Sequence, residues 1–169
     1  MDLKDAIRDI PDFPEKGIMF RDITPILQDG ELLAVAIDQI AELAAKYDFD
    51  IVVGPESRGF IFGVPLAVRL RKGFVPIRKA GKLPHTTIKK SYALEYGTAT
   101  VEMHTDAVKP GTKVLVVDDL LATGGTGRVV VEMLEEAGAQ VAASIFLIEL
   151  EFLGGREVVG GNVESIIRY

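Results

Sequence analysis

The chain has 169 residues, the length of one domain, and its 19 Lys and Arg against 25 Asp and Glu give a net charge of −6. Hydrophobic residues make up 48% and charged residues 26%, which is ordinary for a folded protein and excludes a disordered one. The absence of cysteine excludes disulfide scaffolds, thiolate zinc sites and thiol nucleophiles. The acidic balance disfavours a nucleic-acid binder, because neutralised phosphates supply most of the affinity of such proteins.

The apolar stretches are far shorter than a membrane span, so we expect no association with membranes. The segment Met1–Asp5 does not have the pattern of a secretory signal. Together with the missing cysteines, this predicts a cytoplasmic protein.

The first 45 residues are predicted to contain two helices with an irregular stretch between them. Asp2 is expected to cap a short first helix. Prolines and glycine between residues 11 and 25 predict an irregular segment around Phe20. Asp29 is expected to cap a long second helix. The buried face of that helix is predicted from apolar residues at the helical period: Leu33, Ala36, Ile37, Ile40 and Leu43.

The remainder alternates short apolar strands with amphipathic helices. Strands are predicted at 51–53, 74–77, 99–103, 114–117, 142–148 and 163–166, and helices at 58–70 and 126–137. Segment 81–97 has no clean period and is predicted to be a long flexible loop of the kind that closes over a site. The alternation predicts a single α/β domain with a mainly parallel twisted sheet flanked by helices, whose ligands bind beyond the carboxyl ends of the strands.

The most specific pattern follows the strand at 114–117. Asp118 and Asp119, here called the acid pair, precede a turn of small residues, Ala122-Thr123-Gly124-Gly125-Thr126, here called the phosphate turn. Glycine lets the backbone approach a ligand, and free amides at a helix N-terminus bind anions. Carboxylates accept hydrogen bonds from sugar hydroxyls or face phosphate-bound magnesium. Ribose 5-phosphate fits both halves, although the same residues would also serve as plain caps and a turn.

Two further segments carry cations at strand ends. Glu56-Ser57-Arg58-Gly59, here called the pyrophosphate loop, follows the strand at 51–53. Its guanidinium and free amides suit a diphosphate, because arginine binds phosphate oxygens in a fork, although Ser57 would equally serve as a helix cap and Arg58 as a solvated residue. Arg78, Lys79 and Lys82 form a basic cluster after the next strand, which by itself is equally typical of a solvated face.

Four segments resemble the type I phosphoribosyltransferases, which bind phosphoribosyl pyrophosphate. They are Phe20–Ile23, Glu56–Phe60, Lys82–Pro84 with Ser91–Gly97, and Asp118–Thr126. They lie in the family's order over about residues 15–155, and their amino-acid sequences are similar to those of members that act on adenine. The resemblance implies the family's fold, with a small N-terminal hood at 1–28, a flexible catalytic loop at 81–97 and a non-proline cis peptide near Glu56-Ser57.

The resemblance also implies a reaction: adenine and phosphoribosyl pyrophosphate give AMP and pyrophosphate, in purine salvage. Asp118 and Asp119 are implied to hold the ribose hydroxyls, and residues 122–126 the 5′-phosphate. The residues implied to bind pyrophosphate are Ser57, Arg58, Lys79, Lys82 and Tyr96. Magnesium is expected to be held mainly through the substrate, without a direct protein ligand, and the family pattern implies a homodimer.

Adenine recognition is likewise carried over from the family. Glu95 is implied to contact the imidazole side of the base and to manage its proton. Phe20 and Leu150 are implied to pack on its two faces, and the backbone of Met19 and Arg21 to read its Watson–Crick edge. Each of these residues would otherwise be a surface or core residue.

Two other functions stay open from the sequence. The first is transfer to another base, such as hypoxanthine or xanthine, against which Leu94-Glu95-Tyr96 and Phe20-Arg21 argue. The second is a transcription regulator that senses phosphoribosyl pyrophosphate without turnover. Such regulators usually carry an added DNA-binding domain, which we do not expect here, and the acidic charge disfavours DNA. His85 and His104 are given no catalytic role.

Overall fold

The computed structural model describes residues 2–94 and 96–169, which form two compact units divided between Gln39 and Ile40. The elements that begin in the first unit are a short 3₁₀ helix (Leu3–Ala6), β1 (Arg8–Pro11), β2 (Met19–Asp22), α1 (Thr24–Gln28) and α2 (Gly30–Ala44). Both predicted caps are confirmed. Asp2 accepts a hydrogen bond from the Lys4 amide at 3.0 Å, and Asp29 accepts one from the Glu31 amide at 2.9 Å.

The buried face of α2 differs slightly from the prediction. Ala36, Ile37 and Ile40 are buried as expected, whereas Leu33 and Leu43 are half-buried and lie at the edge of the face. Leu32 and Ala44, which were not predicted, are buried on this helix as well.

The irregular stretch expected around Phe20 is wrong, because β2 pairs antiparallel with β1. Phe20 lies opposite Ile10 and packs edge-on against Phe13, with 5.1 Å between the ring centroids. Arg21 lies opposite Asp9 and forms an ion pair with it. The pair of strands has edges on both sides, where proline is tolerated, so the prolines do not prevent pairing.

The second unit is built on a seven-stranded sheet, counted over the described residues. Its further elements are β3 (Ile51–Pro55), α3 (Arg58–Leu70), β4 (Gly73–Lys79), β5 (Thr87–Ala93), β6 (Thr98–His104), β7 (Lys113–Leu121), α4 (Gly125–Glu136), β8 (Gln140–Glu149), a 3₁₀ turn (Glu151–Leu153), α5 (Gly155–Val159) and β9 (Val163–Arg168). The strand order is β5-β6-β4-β3-β7-β8-β9. Neighbours from β4 to β9 pair in parallel, and β6 pairs antiparallel with both β4 and β5. The predicted α/β class with a mainly parallel sheet is therefore confirmed.

The centre of the sheet explains the continuous apolar runs in the sequence. β3 lies between β4 and β7, and residues 114–117 of β7 are all buried, because neighbouring elements cover both faces. α4 contributes Val130, Met133 and Leu134 to the core. Across the part of the chain that the structure describes, we find no helix long and apolar enough to cross a membrane.

The loop expected over 81–97 is wrong for residues 87–93, which form β5 and pair with β6 along its whole length. Ile88, Lys90 and Tyr92 are half-buried and alternate with exposed residues, which is the ordinary strand period. The alternation of apolar and polar residues is not visible in the sequence, because Lys90 occupies one of the half-buried positions of the strand. Lys90 forms an ion pair with Glu132 of α4 at 3.5 Å, so its polar end is satisfied there.

Candidate active site

A cavity of about 250 Å³ lies at the carboxyl ends of β3 and β7. Its lining is formed by residues 56–58, residues 118–127 and Phe146. β3 and β7 pair in parallel, with Val53 opposite Val116, so the segments that follow them leave the sheet at one edge. The acid pair, the phosphate turn and the pyrophosphate loop, which are separate in the sequence, therefore line one cleft.

The phosphate turn leaves β7 and runs directly into α4. Gly124 has a φ of +88°, which favours glycine, and it precedes the helix without a side-chain cap hydrogen bond among the described residues. The first amides of α4 are thus left without a side-chain acceptor, as an anion site requires. The Thr126 hydroxyl lies 3.2 Å from the Tyr92 hydroxyl, which ties β5 to the turn. The turn offers backbone and hydroxyl donors to a phosphate.

The acid pair lies within β7 and not after it, because the strand continues four residues beyond the predicted end at Val117. Asp119 is only 4% exposed, and its Oδ2 lies 3.0 Å from Arg58 Nε. Asp118 Oδ1 accepts the Asp119 amide at 2.8 Å. Burial raises the pKa of Asp118 well above its usual range, and the neighbouring Asp119 raises it further. Burial also raises the pKa of Asp119, while the Arg58 guanidinium opposes that rise.

Asp118→Asn is expected to stabilise the ligand-free protein at neutral pH. Because burial raises the pKa of Asp118, the folded chain binds the proton more tightly, and stability falls as the pH rises above the unfolded value of about 3.9. The melting temperature of the variant should exceed that of the wild type at pH 7. The increase should be about 2–4 °C for each kcal/mol by which the free energy of unfolding rises when the buried charge is removed. Thermal unfolding between pH 4 and 8 checks this, and the gap should close towards pH 4. A pH-independent gap would contradict it.

The pyrophosphate loop is fastened to the end of β4 by a side chain that the prediction did not use. The Glu56 carboxylate accepts hydrogen bonds from Arg78 Nε at 3.2 Å and from the Lys79 amide at 2.7 Å. The Glu56–Ser57 peptide is cis, as expected. Ser57 makes no cap hydrogen bond within the described chain, so its hydroxyl is not used to begin α3. The loop therefore presents Ser57 and Arg58 to the cleft.

The other residues predicted to bind pyrophosphate, Lys79, Lys82 and Tyr96, do not line this first cavity. Lys79 lines a second cavity of about 270 Å³, which shares Glu56 and Thr126 with the first. Lys82 and Tyr96 are exposed, Tyr96 to 84%, so their role stays a prediction.

The residues predicted to hold adenine are only partly placed. Leu150 is half-buried directly after β8, and its amide donates to the Leu121 carbonyl at 2.9 Å, which puts its backbone beside the end of β7. Met19, Phe20 and Arg21 lie in β2 of the first unit, and their contacts with a base stay a prediction. Glu95 lies outside the described residues.

Sequence reasoning assigned no packing role to two glycines that shape the site from behind. Gly59 is one, because a Cβ there would lie 2.8 Å from Pro55 Cδ and 3.2 Å from Asp118 Oδ1. Gly155 is another, against the phosphate turn. The sequence did contain possible signals: a glycine directly after Arg58 and the Gly154-Gly155 doublet. They indicate close packing only once the residues that contact them, which are distant in the sequence, are known.

The fold and the cleft define a phosphoribosyltransferase, and residues 23–153 match the Phosphoribosyl transferase domain family. The chain is 55% identical over 168 residues to the adenine phosphoribosyltransferase of Lachnoclostridium phytofermentans, covering 99% of this chain and 97% of that protein. The adenine phosphoribosyltransferase of Thermoanaerobacter pseudethanolicus superposes with a TM-score of 0.95 at 49% identity, covering 99% and 98% of the two chains. The chain belongs to the adenine phosphoribosyltransferase family.

A third relative carries information about ligands. The Saccharomyces cerevisiae adenine phosphoribosyltransferase, solved in complex with an imino-altritol bisphosphate and adenine, has a TM-score of 0.92 at 40% identity, covering 97% of this chain and 96% of that one. The resemblance found in the sequence is therefore confirmed at the level of the family. All three relatives are named for adenine. The comparisons therefore do not favour the two alternatives left open by the sequence, an enzyme for hypoxanthine or xanthine and a transcription regulator.

Proposed function

We propose that the cleft binds phosphoribosyl pyrophosphate with Mg²⁺ and transfers its phosphoribosyl group to adenine, giving AMP and pyrophosphate in purine salvage. The observation that carries the proposal is the meeting, at one sheet edge, of the acid pair with the uncapped phosphate turn. Carboxylates suit ribose hydroxyls, and helix amides suit the 5′-phosphate.

The bond between the ribose C1 and the pyrophosphate oxygen breaks, and its electron pair leaves with pyrophosphate. Adenine N9 attacks the opposite face of the resulting oxocarbenium-like carbon, so the configuration inverts. Asp118 and Asp119 hold the ribose hydroxyls and stabilise the developing positive charge. Arg58 lies 3.0 Å from Asp119, and its guanidinium can bind the pyrophosphate oxygens. The other residues proposed to bind the pyrophosphate are Ser57, Lys79, Lys82 and Tyr96.

Proton balance requires that the imidazole ring of adenine lose one proton as N9 bonds to carbon. Glu95 is proposed to contact this side of the base and to accept or share that proton. Leu150, whose backbone lies beside the end of β7, is proposed to pack on a face of the base. The adenine contacts of Met19, Phe20 and Arg21 remain those that the family resemblance implies. The stretches of 81–97 on either side of β5 close over the site to keep water from the reactive carbon.

The residues of the cleft fit a magnesium ion held through the substrate. Across residues 2–94 and 96–169 there is no cluster of three or more His, Asp or Glu side chains that could hold a metal. Mg²⁺ at phosphate sites keeps several waters and is bound largely through substrate phosphate oxygens, so the acid pair would face the substrate-bound ion while it holds the ribose hydroxyls. When bound with the substrate, the ion neutralises charge on the leaving pyrophosphate.

The proposal extends to a cytoplasmic homodimer. The homodimer comes from the family resemblance, and Val64 and Val68, one turn apart on α3 and 41% and 72% exposed, are the residues of α3 proposed to contribute to the contact. Sedimentation of the purified chain would measure the assembly directly.

The test of the function is AMP formation with a panel of bases. Wild-type protein with phosphoribosyl pyrophosphate and Mg²⁺ is expected to turn over adenine and to leave guanine, hypoxanthine and xanthine at least about 100-fold slower, since a site that hydrogen-bonds one base leaves buried groups unpaired with another. Chelation of Mg²⁺ should abolish turnover. Preferred turnover of another base would replace adenine in the proposal, and binding of the sugar without turnover of any base would leave a sensor.

A further inference from the structure

The back of the phosphate turn is in close contact with the first residue of α5. A Cβ built on Gly155 would overlap the Ala122 carbonyl oxygen and lie 3.1 Å from the Gly124 nitrogen. Conversely, a Cβ on Gly124 would lie 2.6 Å from the Gly155 carbonyl oxygen. Two backbones thus touch without side chains between them. The position of α5 therefore limits the shape that the turn can adopt.

α5 has only five residues, so its own hydrogen bonds do little to fix its position. It is held by Arg156, whose Nε and Nη2 donate to the two oxygens of Glu149 at 3.0 and 2.6 Å. The same guanidinium donates through Nη1 to the Val163 carbonyl of β9. The fork geometry of arginine makes such a pair directional as well as strong.

Glu149 is fixed in turn by the sheet. It is the last residue of β8, is 3% exposed and lies opposite Leu121 at the end of β7, immediately before the phosphate turn. Ser165 of β9 also donates to its Oε2, at 2.5 Å. Removing two charges from water costs as much as their attraction returns, so such a pair contributes little net stability and is better understood by what it orients.

We infer that Glu149 and Arg156 are positioning residues for the 5′-phosphate: by clamping α5 against the back of the phosphate turn, they hold its amides in the geometry that binds the anion. The inference rests on the proposed assignment of residues 122–126 to that phosphate. Neither residue lines the cleft, so they act through the turn. Their loss affects ligands that carry the phosphate and spares adenine, which does not.

The experiment is calorimetric titration of ribose 5-phosphate into wild type, Arg156→Gln, Glu149→Gln and Arg168→Gln. Arg168 is the matched control, because it is also near Glu149, at 3.9 Å, but lies on β9 and not on α5. Arg156→Gln and Glu149→Gln are expected to weaken binding about 10-fold or more, since a shift of about 1 Å in a site costs up to about 100-fold. Arg168→Gln should remain within about twofold.

Kinetics separate positioning from general damage. Arg156→Gln should raise the KM for phosphoribosyl pyrophosphate about 10-fold and leave the KM for adenine at saturating sugar unchanged. Arg156→Lys keeps the charge but not the fork, and should recover part of the affinity. If Arg156→Gln does not fold, Gly155→Ala tests the position of α5 against the turn. Gly30→Ala is its control, because a Cβ on Gly30 meets nothing within 4 Å and its φ is not positive.

The outcomes distinguish the inference from the function on which it rests. Weakened ribose 5-phosphate binding with an unchanged adenine KM supports the inference. Equal weakening for Arg168→Gln, or a parallel loss for adenine, means a merely structural role and overturns it. Wild-type binding retained by both Arg156→Gln and Gly155→Ala also overturns it, while the proposed function stands. Failure of the wild type to bind ribose 5-phosphate would overturn the phosphate assignment and the inference together.

Discussion

Asp119→Asn is expected to lower kcat/KM for phosphoribosyl pyrophosphate by about 10²–10³-fold, the usual loss when a preorganised charge at a developing ion is removed. Asparagine has the same shape but cannot stabilise the positive charge that forms on the ribose. It also removes the ion pair with Arg58, whose Nε lies 3.0 Å from the carboxylate. Asp119 is 4% exposed, so water cannot replace the lost charge. Asp118→Asn should lower activity by a similar factor while raising stability.

The control is Asp48→Asn, which removes an aspartate from a surface ion pair. Asp48 lies 2.6 Å from Lys113, but its side chain is 83% exposed, and such pairs contribute little. Steady-state rates at varied concentrations of phosphoribosyl pyrophosphate give the comparison. Asp48→Asn should retain wild-type rates. An Asp119→Asn enzyme within about threefold of wild type would show that the acid pair does not act on the sugar.

Glu95→Ala is expected to lower kcat with adenine by about 10²-fold or more, the range for loss of a positioned proton-transfer group. Glu95 itself lies outside the described residues, so the expectation comes from the family resemblance and from its neighbours in the chain. The strand that precedes it is tied to the site, since the Tyr92 hydroxyl lies 3.2 Å from Thr126 Oγ1. Lys90 of the same strand is paired with Glu132 of α4. This segment is therefore held on the side of the phosphate turn.

Glu95→Gln separates binding from proton transfer, because an amide keeps the hydrogen bond but cannot exchange the proton. Its KM for adenine should stay near that of the wild type while its kcat falls. Glu135→Ala, on the exposed surface of α4, is the matched control and should be unchanged. Rates are measured for AMP formation at saturating substrates. Full activity of Glu95→Ala would remove this residue from the mechanism and leave the proton to water.

Local patterns predicted the parts of the fold that depend on neighbours in the chain. The apolar run at 114–117, the helical period of 58–70 and the cap at Asp29 each come from interactions within a few residues, and all are found. The pairing of β1 with β2 and the strand β5 were missed. In both, a polar or proline residue occupies a position that pairing across the chain makes acceptable, as with Lys90 against Glu132.

The sequence by itself determined the family and the chemical inventory of the site: an acid pair, a small-residue turn and an arginine loop, each readable because it is contiguous. Only the tertiary structure decided how these segments are oriented. Parallel pairing of β3 with β7 brings Arg58 to Asp119, and the clamp of Arg156 on Glu149 holds α5 behind the phosphate turn. Such contacts join residues far apart in the chain, whose distance is set by packing of the sheet, and no local period or motif encodes it.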